Sequence, residues 1–171
     1  KNDRKSQDRK DEKMKLISVV VPCYNEREVL PAMYAELENV RKRDFDGIAE
    51  FEYIFADDGS SDGTTEYIKE MRKKDKKVRF VSFSRNFGKE AAIYAGLKNA
   101  KGDLVTVIDA DLQQRPEVVM EMIGYLSEHK ECDCVAAYQR ERHESKLLKT
   151  FKGWFYGLSN KIMQTKLYPG A

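Results

Sequence analysis

The sequence predicts an α/β fold, a mostly parallel sheet with helices on both faces. Short β-branched runs alternate with segments of helical period along its 171 residues, the order that parallel strands and crossover helices require. Polar clusters follow one strand after another: "PCYNE", "ADDGSSDG", "SRNFGK" and "DADLQ". No internal repeat breaks the pattern, and no window approaches the ~18 consecutive apolar residues of a bilayer span.

The first strand is read from "KLISVVVPCYNE", a β-branched run stopped by Pro22. "REVLPAMYAELENVRKR" has helical spacing, with Leu30, Met33, Leu37 and Val40 on one face. Pro31 fits its first turn, where a missing N–H costs nothing. "FEYIFADDGSSDGT" is a second strand running into a Gly/Ser/Asp turn, and "TEYIKEMRKK" a helix capped from Ser61 or Asp62. "VRFVSFSRNFG" gives a third strand, and "KEAAIYAGLKNAKG" an Ala-rich helix closed by Gly102. "DLVTVIDAD" is a fourth, buried strand, "PEVVMEMIGYLSEH" the next helix and "CDCVAAYQ" a fifth strand.

The net charge is +2 but is unevenly spread. Residues 1–13 carry +2 without one apolar side chain, and residues 140–166 carry +5, so the body between them is acidic. The opening segment reads as a disordered charged leader, not a signal peptide, because no apolar region follows its charges. This gives three parts: the leader at 1–13, a ligand-binding domain at 14–139 and a basic segment at 140–171. Cys23, Cys132 and Cys134 cannot all pair and show no metal-ligand spacing, so they read as reduced thiols in a cytosolic setting. His129 and His143 have no partners at metal spacing either, and read as solvent-facing.

In open parallel sheets ligands bind just outside the C-terminal ends of the strands. The four polar clusters would converge on one such rim. There the apolar run "LVTVI" ends in Asp109 and Asp111, one residue apart. Like charges this close repel, and partial burial raises the cost. A positive group is expected between them: a lysine, a helix N-terminus or a metal ion. Hard oxygen ligands at a strand end suit Mg²⁺ or Mn²⁺, which completes its shell with water and substrate phosphates. A helix cap or a solvated turn is the structural alternative. The acids of "DDGSSDG" would repel a phosphate, but they can accept hydrogen bonds from a base or from ribose hydroxyls; a capped turn coexists with that role. Neither GxxxxGK[ST] nor GxGxxG occurs, which argues against a P-loop NTPase and a dinucleotide-dependent dehydrogenase. Arg85 and Lys89 stand on the same rim, free to touch phosphate or sugar or to form surface salt bridges.

In this order, "VVVPCYNE", "FADDGSSDGT", "SRNFGKEAAIYAGLKNAKGD" and "VIDADLQQRPE" resemble glycosyltransferase family 2 with its GT-A fold, a Rossmann-like arrangement. The resemblance runs from Met14 to about Tyr138. "RNFGKEAA" brings it nearest to the bacterial polyisoprenyl-phosphate glycosyltransferases, relatives of dolichol-phosphate mannose synthase, and away from the processive polysaccharide synthases. The resemblance implies that Pro22, Tyr24 and Glu26 line the nucleotide pocket, and that Asp58 accepts from uracil or ribose beside Asp57, a position that varies among relatives. It implies that Asp109 and Asp111 form the metal–diphosphate motif, with Asp111 in a catalytic role and Gln113 near the donor sugar or metal. By packing alone, Tyr24 would simply fill space and Glu26 would cap the next helix. Arg140 and Arg142 fall where relatives grip the acceptor phosphate.

The implied reaction is inverting transfer from a nucleotide-sugar, UDP-linked, to polyisoprenyl phosphate at the cytoplasmic face of the membrane. Mg²⁺ or Mn²⁺ would stabilise charge on the leaving diphosphate. The alternatives are a hydroxyl acceptor in capsule or cell-wall glycan synthesis, which would call for a carboxylate base, and a catalytically silent binding module. Relatives continue past the point of "LYPGA" with a further acidic and arginine-containing block and with transmembrane helices, so a truncated chain is implied. Within "SKLLKTFKGWFYGLSNKIMQTKLY", Leu147, Leu148, Phe151, Phe155, Leu158 and Ile162 share a helical face, with Lys149, Lys152 and Lys161 elsewhere and Trp154 near the seam. This suits an anionic membrane surface, or a helix packed on its own domain. The acidic rim argues against nucleic acid as a partner, and a homo-oligomer stays open.

Overall fold

The computed structural model describes residues 15–113, 115–129 and 131–137. The chain divides after Glu121 into two units, the division falling within the last helix. The elements are β1 (Lys15–Cys23), α1 (Leu30–Asp44), β2 (Ala49–Asp57), α2 (Thr64–Lys74), β3 (Val78–Ser82), α3 (Lys89–Asn99), β4 (Leu104–Val107) and α4 (Glu117–Glu128). All four strands are parallel, in the order β3-β2-β1-β4.

The sheet is built around β1 and β2, whose residues from Ile17 to Cys23 and from Phe51 to Asp57 are buried. Val19 pairs with Tyr53 and Val21 with Phe55, so these side chains share one face. α1 covers that face: Leu30, Met33, Leu37 and Val40 are its buried residues, the set its helical spacing predicts, and Tyr34 meets Tyr53 edge-on at 5.4 Å. Pro31 lies in the first turn of α1, as expected. On the other face α3 packs so closely on β1 that a methyl group on Gly96 would lie 2.3 Å from Val20. Helices on both faces and a parallel sheet are thus as predicted.

The chain runs β1, β2, β3 in one direction and then crosses back to place β4 against the other side of β1. The strand order therefore reverses between β1 and β4, and the loops leaving their C-terminal ends separate there to leave a crevice.

Four expectations need correction. Among the described residues β4 is an edge strand of the sheet, not a buried one, with Val105 45 % and Val107 37 % exposed. Residues 132–137 form no strand, because they join no ladder among the described residues, and apolar alternation alone does not supply a partner. Gly102 does not close α3, whose C-cap residue is Ala100; its N–H donates to Ser18 Oγ at 2.8 Å, within a network in which Ser18 and Arg79 also bond the Glu52 carboxylate. The N-cap of α2 is Gly63, with φ 91°, so neither Ser61 nor Asp62 holds that position; Asp62 instead accepts from the Thr64 N–H and hydroxyl. Residues 1–13 and the basic segment 140–171 lie outside the described residues.

Candidate active site

The site is assembled from four loops at the C-terminal rim. After β1 the chain turns at Asn25, whose φ of 56° is left-handed, a conformation that asparagine tolerates better than most residues. The turn is laced to the loop after β2. The Asn25 N–H donates to Ser60 Oγ at 2.9 Å, and Asn25 Oδ1 accepts from the Ser61 N–H at 2.9 Å. The Glu26 N–H donates to Thr64 Oγ1 at 3.0 Å, and the Arg27 N–H to Asp62 Oδ2 at 3.1 Å. These bonds fix Tyr24 and Glu26 on the rim without using either side chain, and Tyr24 stays exposed.

The loop after β2 begins with Asp57 and Asp58, both buried. Asp57 Oδ1 accepts from the Ser60 N–H and hydroxyl, while Oδ2 accepts from the Ser82 and Thr65 hydroxyls. Asp58 reaches across to the loop after β3, where its two oxygens accept the N–H groups of Phe87 at 2.7 Å and Gly88 at 2.9 Å. Gly59 lets the same two loops touch: its φ is +72°, and a methyl group there would lie 2.4 Å from the Arg85 carbonyl carbon. Arg85 itself stacks over the Phe87 ring at 4.5 Å.

Lys89 opens α3, directly after the clamped Gly88, and its Nζ lies 2.7 Å from Asp109 Oδ1. Of the three positive groups expected beside the Asp109/Asp111 pair, the structure supplies the lysine. Asp111 Oδ1 accepts the Gln113 N–H at 3.0 Å, and the chain turns at Leu112 with φ 59°.

These loops enclose a cavity of about 360 Å³ at the β1–β4 switch point. Of the residues predicted to bind the donor, Pro22, Tyr24, Glu26, Asp58, Asp109 and Asp111 line it. Asp57 and Gln113 do not; Asp57 is spent on the loop's own hydroxyls and Gln113 is exposed. Arg140 and Arg142 lie outside the described residues. Asn86, Gly88 and Lys89 also line the cavity. The sequence reading places Lys89 on the rim, whereas Asn86 and Gly88, in the same "RNFGKEAA" block, receive no role there. The acidic surroundings are felt at Glu26, whose carboxyl is pushed above its ordinary value by burial, then by the fields of Asp111 and Asp62. Burial and the nearby Asp57 push the Cys23 thiol up strongly, keeping it protonated on the cavity wall.

The resemblance implies a divalent ion at this pair. Among the described residues no three Asp, Glu, His or Cys side chains converge as a protein-only metal site would require. Two carboxylates one residue apart fit instead an ion whose shell is completed by water and phosphates, as that of Mg²⁺ commonly is.

The parallel sheet whose strand order reverses beside acidic loops matches solved structures of the GT-A class of α/β folds. The Staphylococcus aureus protein TarS (residues 1–349, solved with UDP-GlcNAc) superimposes with a TM-score of 0.53 at 29 % identity, over 68 % of this chain and 32 % of that one. The chain belongs to glycosyl transferase family 2, whose family model matches residues 18–170. It is 38 % identical over 154 residues to a prophage bactoprenol glucosyl transferase homolog of Escherichia coli K12, covering 88 % of this chain and 48 % of that protein. It is 39 % identical over 144 residues to an undecaprenyl-phosphate 4-deoxy-4-formamido-L-arabinose transferase of Aeromonas hydrophila, covering 80 % and 41 % respectively. The chain thus spans about half the length, or less, of these curated relatives.

Proposed function

We propose that this chain is the donor-binding part of an inverting glycosyltransferase that moves a sugar from a UDP-linked donor to polyisoprenyl phosphate at the cytoplasmic face of a membrane. The observation that carries the reading is the cavity at the switch point, which brings Pro22, Tyr24, Glu26 and Asp58 together with Lys89, Asp109 and Asp111. The bactoprenol and undecaprenyl-phosphate relatives support a lipid-phosphate acceptor, and TarS with UDP-GlcNAc supports a uridine nucleotide.

In this reading Tyr24 packs on the base, and Glu26 and Asp58 take hydrogen bonds from nucleoside N–H or hydroxyl groups. Asp58 keeps this capacity because a carboxylate offers about four acceptor positions and the Phe87 and Gly88 N–H groups use two of them. Asp109 and Asp111 would hold a divalent ion, Mg²⁺ or Mn²⁺, which supplies charge neutralisation for the leaving diphosphate. The acceptor phosphate is already an anion at neutral pH, so its attack on the sugar carbon needs no general base. Arg140 and Arg142 would hold it by paired hydrogen bonds. The basic residues of 140–166, with their apolar stripe, would rest on anionic lipid and bring the rim to its acceptor.

The test is calorimetric titration of the chain with UDP, GDP and a UDP-sugar, with and without Mn²⁺. UDP should bind more tightly than GDP, and Mn²⁺ should tighten UDP by roughly tenfold or more, the worth of about one charge-assisted contact. No affinity for either nucleotide in the presence of Mn²⁺ would overturn the reading.

A further inference from the structure

The cavity wall has an unbalanced charge. Among the described residues lining it are four carboxylates, Glu26, Asp58, Asp109 and Asp111, and a single basic side chain, Lys89. A diphosphate entering that wall brings more negative charge. While Lys89 stays on Asp109, at 2.7 Å, its charge is already used and the diphosphate meets mainly carboxylates. The lysine is also placed to move. Its backbone is fixed, since it follows Gly88, whose N–H is held by Asp58, while its side chain is 57 % exposed. An ion pair so exposed is weak and exchanges readily.

We propose that Lys89 is a resident counter-ion: its ammonium neutralises Asp109 in the ligand-free protein and passes to the donor's diphosphate when a divalent cation takes its place on the carboxylate. The inference rests on reading the cavity as a nucleotide-sugar site. It adds that lysine and metal compete for one carboxylate while cooperating on one ligand. Asp58 is then a positioning residue, holding the loop from which Lys89 reaches either partner.

Competition and cooperation separate in Lys89→Gln, compared with wild type and Lys89→Arg. Mn²⁺ binding without nucleotide is followed by electron paramagnetic resonance, and UDP binding with Mn²⁺ by calorimetry. Lys89→Gln should bind Mn²⁺ alone about fivefold tighter, since a unit charge a few ångströms from the ion is gone. It should bind UDP with Mn²⁺ roughly tenfold more weakly. Lys89→Arg, which keeps the charge, should return both values toward wild type. Thermal melting checks that each variant is folded. Unchanged or undetectable Mn²⁺ binding in both wild type and Lys89→Gln overturns the counter-ion role, even where UDP is weakened; that pattern would make Lys89 a plain phosphate contact. Failure of wild type to bind UDP would defeat the reading of the cavity instead, and the Mn²⁺ measurement would still decide the ion pair.

Discussion

The molecule carries two pairs of aspartates at the same rim, and they are treated in opposite ways. Asp57 and Asp58, after β2, are 1 % and 3 % exposed, and both oxygens of each accept hydrogen bonds from the chain: Ser60, Thr65 and Ser82 for one, Phe87 and Gly88 for the other. Asp109 and Asp111, after β4, line the cavity, one against an exposed lysine and the other against the Gln113 N–H. Carboxylates buried without partners would be costly, so the first pair is tied into the architecture, although Asp58, unlike Asp57, also lines the cavity. The second pair is more exposed and lines the cavity. The difference separates a buried pair that braces the loops from a more exposed pair beside Lys89.

The strongest way to break that division is at Asp57. Asp57→Ala leaves the Ser60 N–H and three hydroxyls without their acceptor in a buried turn. The expected loss is about 3 kcal/mol of stability, read as the shift in the urea midpoint. A loss near zero would mean that the loop is held by its backbone lacing to Asn25 and not by the carboxylate.

In the sequence the two pairs look alike. "ADDG" and "DADL" both follow an apolar run, and each was read as a ligand-binding turn. What separates them is distant along the chain: Ser82, Phe87 and Gly88 lie 25 to 30 residues from the acids they bond. Local pattern carries no information at that range. The same limit explains the other outcomes. The buried face of α1 was legible to the residue, because helical period is local. Convergence of the polar clusters on one rim was legible because a parallel sheet puts every strand end on the same side. The exposure of β4 and the missing strand at 132–137 depend on which neighbours a strand finds, and alternation of apolar residues does not say.

The second pair should show the converse behaviour. Asp109→Asn and Asp111→Asn remove charge from the open acids, so stability should change by no more than about 1 kcal/mol, the scale of an exposed ion pair. For Asp111→Asn it should hold or rise, because the repulsion on Glu26 is relieved. Metal-dependent binding of UDP should nevertheless be lost in both. Calorimetry with and without Mn²⁺, set beside thermal melting of the apo proteins, reads the two effects separately. Retention of the Mn²⁺ effect in both variants would remove the metal from this pair.

The smallest effect sharpens the comparison most, because it asks whether the open acids sense one another without any ligand. The Glu26 carboxyl is raised above its ordinary value of 4.5, first by burial, then by Asp111 and by Asp62. A carboxyl whose folded value lies above its unfolded value binds more protons in the native state over the interval between the two. Stability from this group therefore falls as pH rises through that interval, and is fully present below it. Elsewhere in the chain the carboxyls of Glu38, Glu52, Asp62 and Asp75 are lowered and give the opposite slope, losing stability as pH falls, so the wild-type profile alone does not isolate Glu26. The difference between Glu26→Gln and wild type does. Across urea midpoints taken from pH 4.5 to 7, Glu26→Gln should gain on wild type as pH rises, and the gain should level off once Glu26 is ionised. Asp111→Asn should flatten that difference, since part of the cause is removed. Because Glu26 is only partly buried, salt should shrink the contribution of Asp111 and leave that of burial. A difference that stays flat with pH would mean that Glu26 does not sense Asp111 across the cavity mouth, and that the two sides of the site become coupled only when a cation and a diphosphate join them.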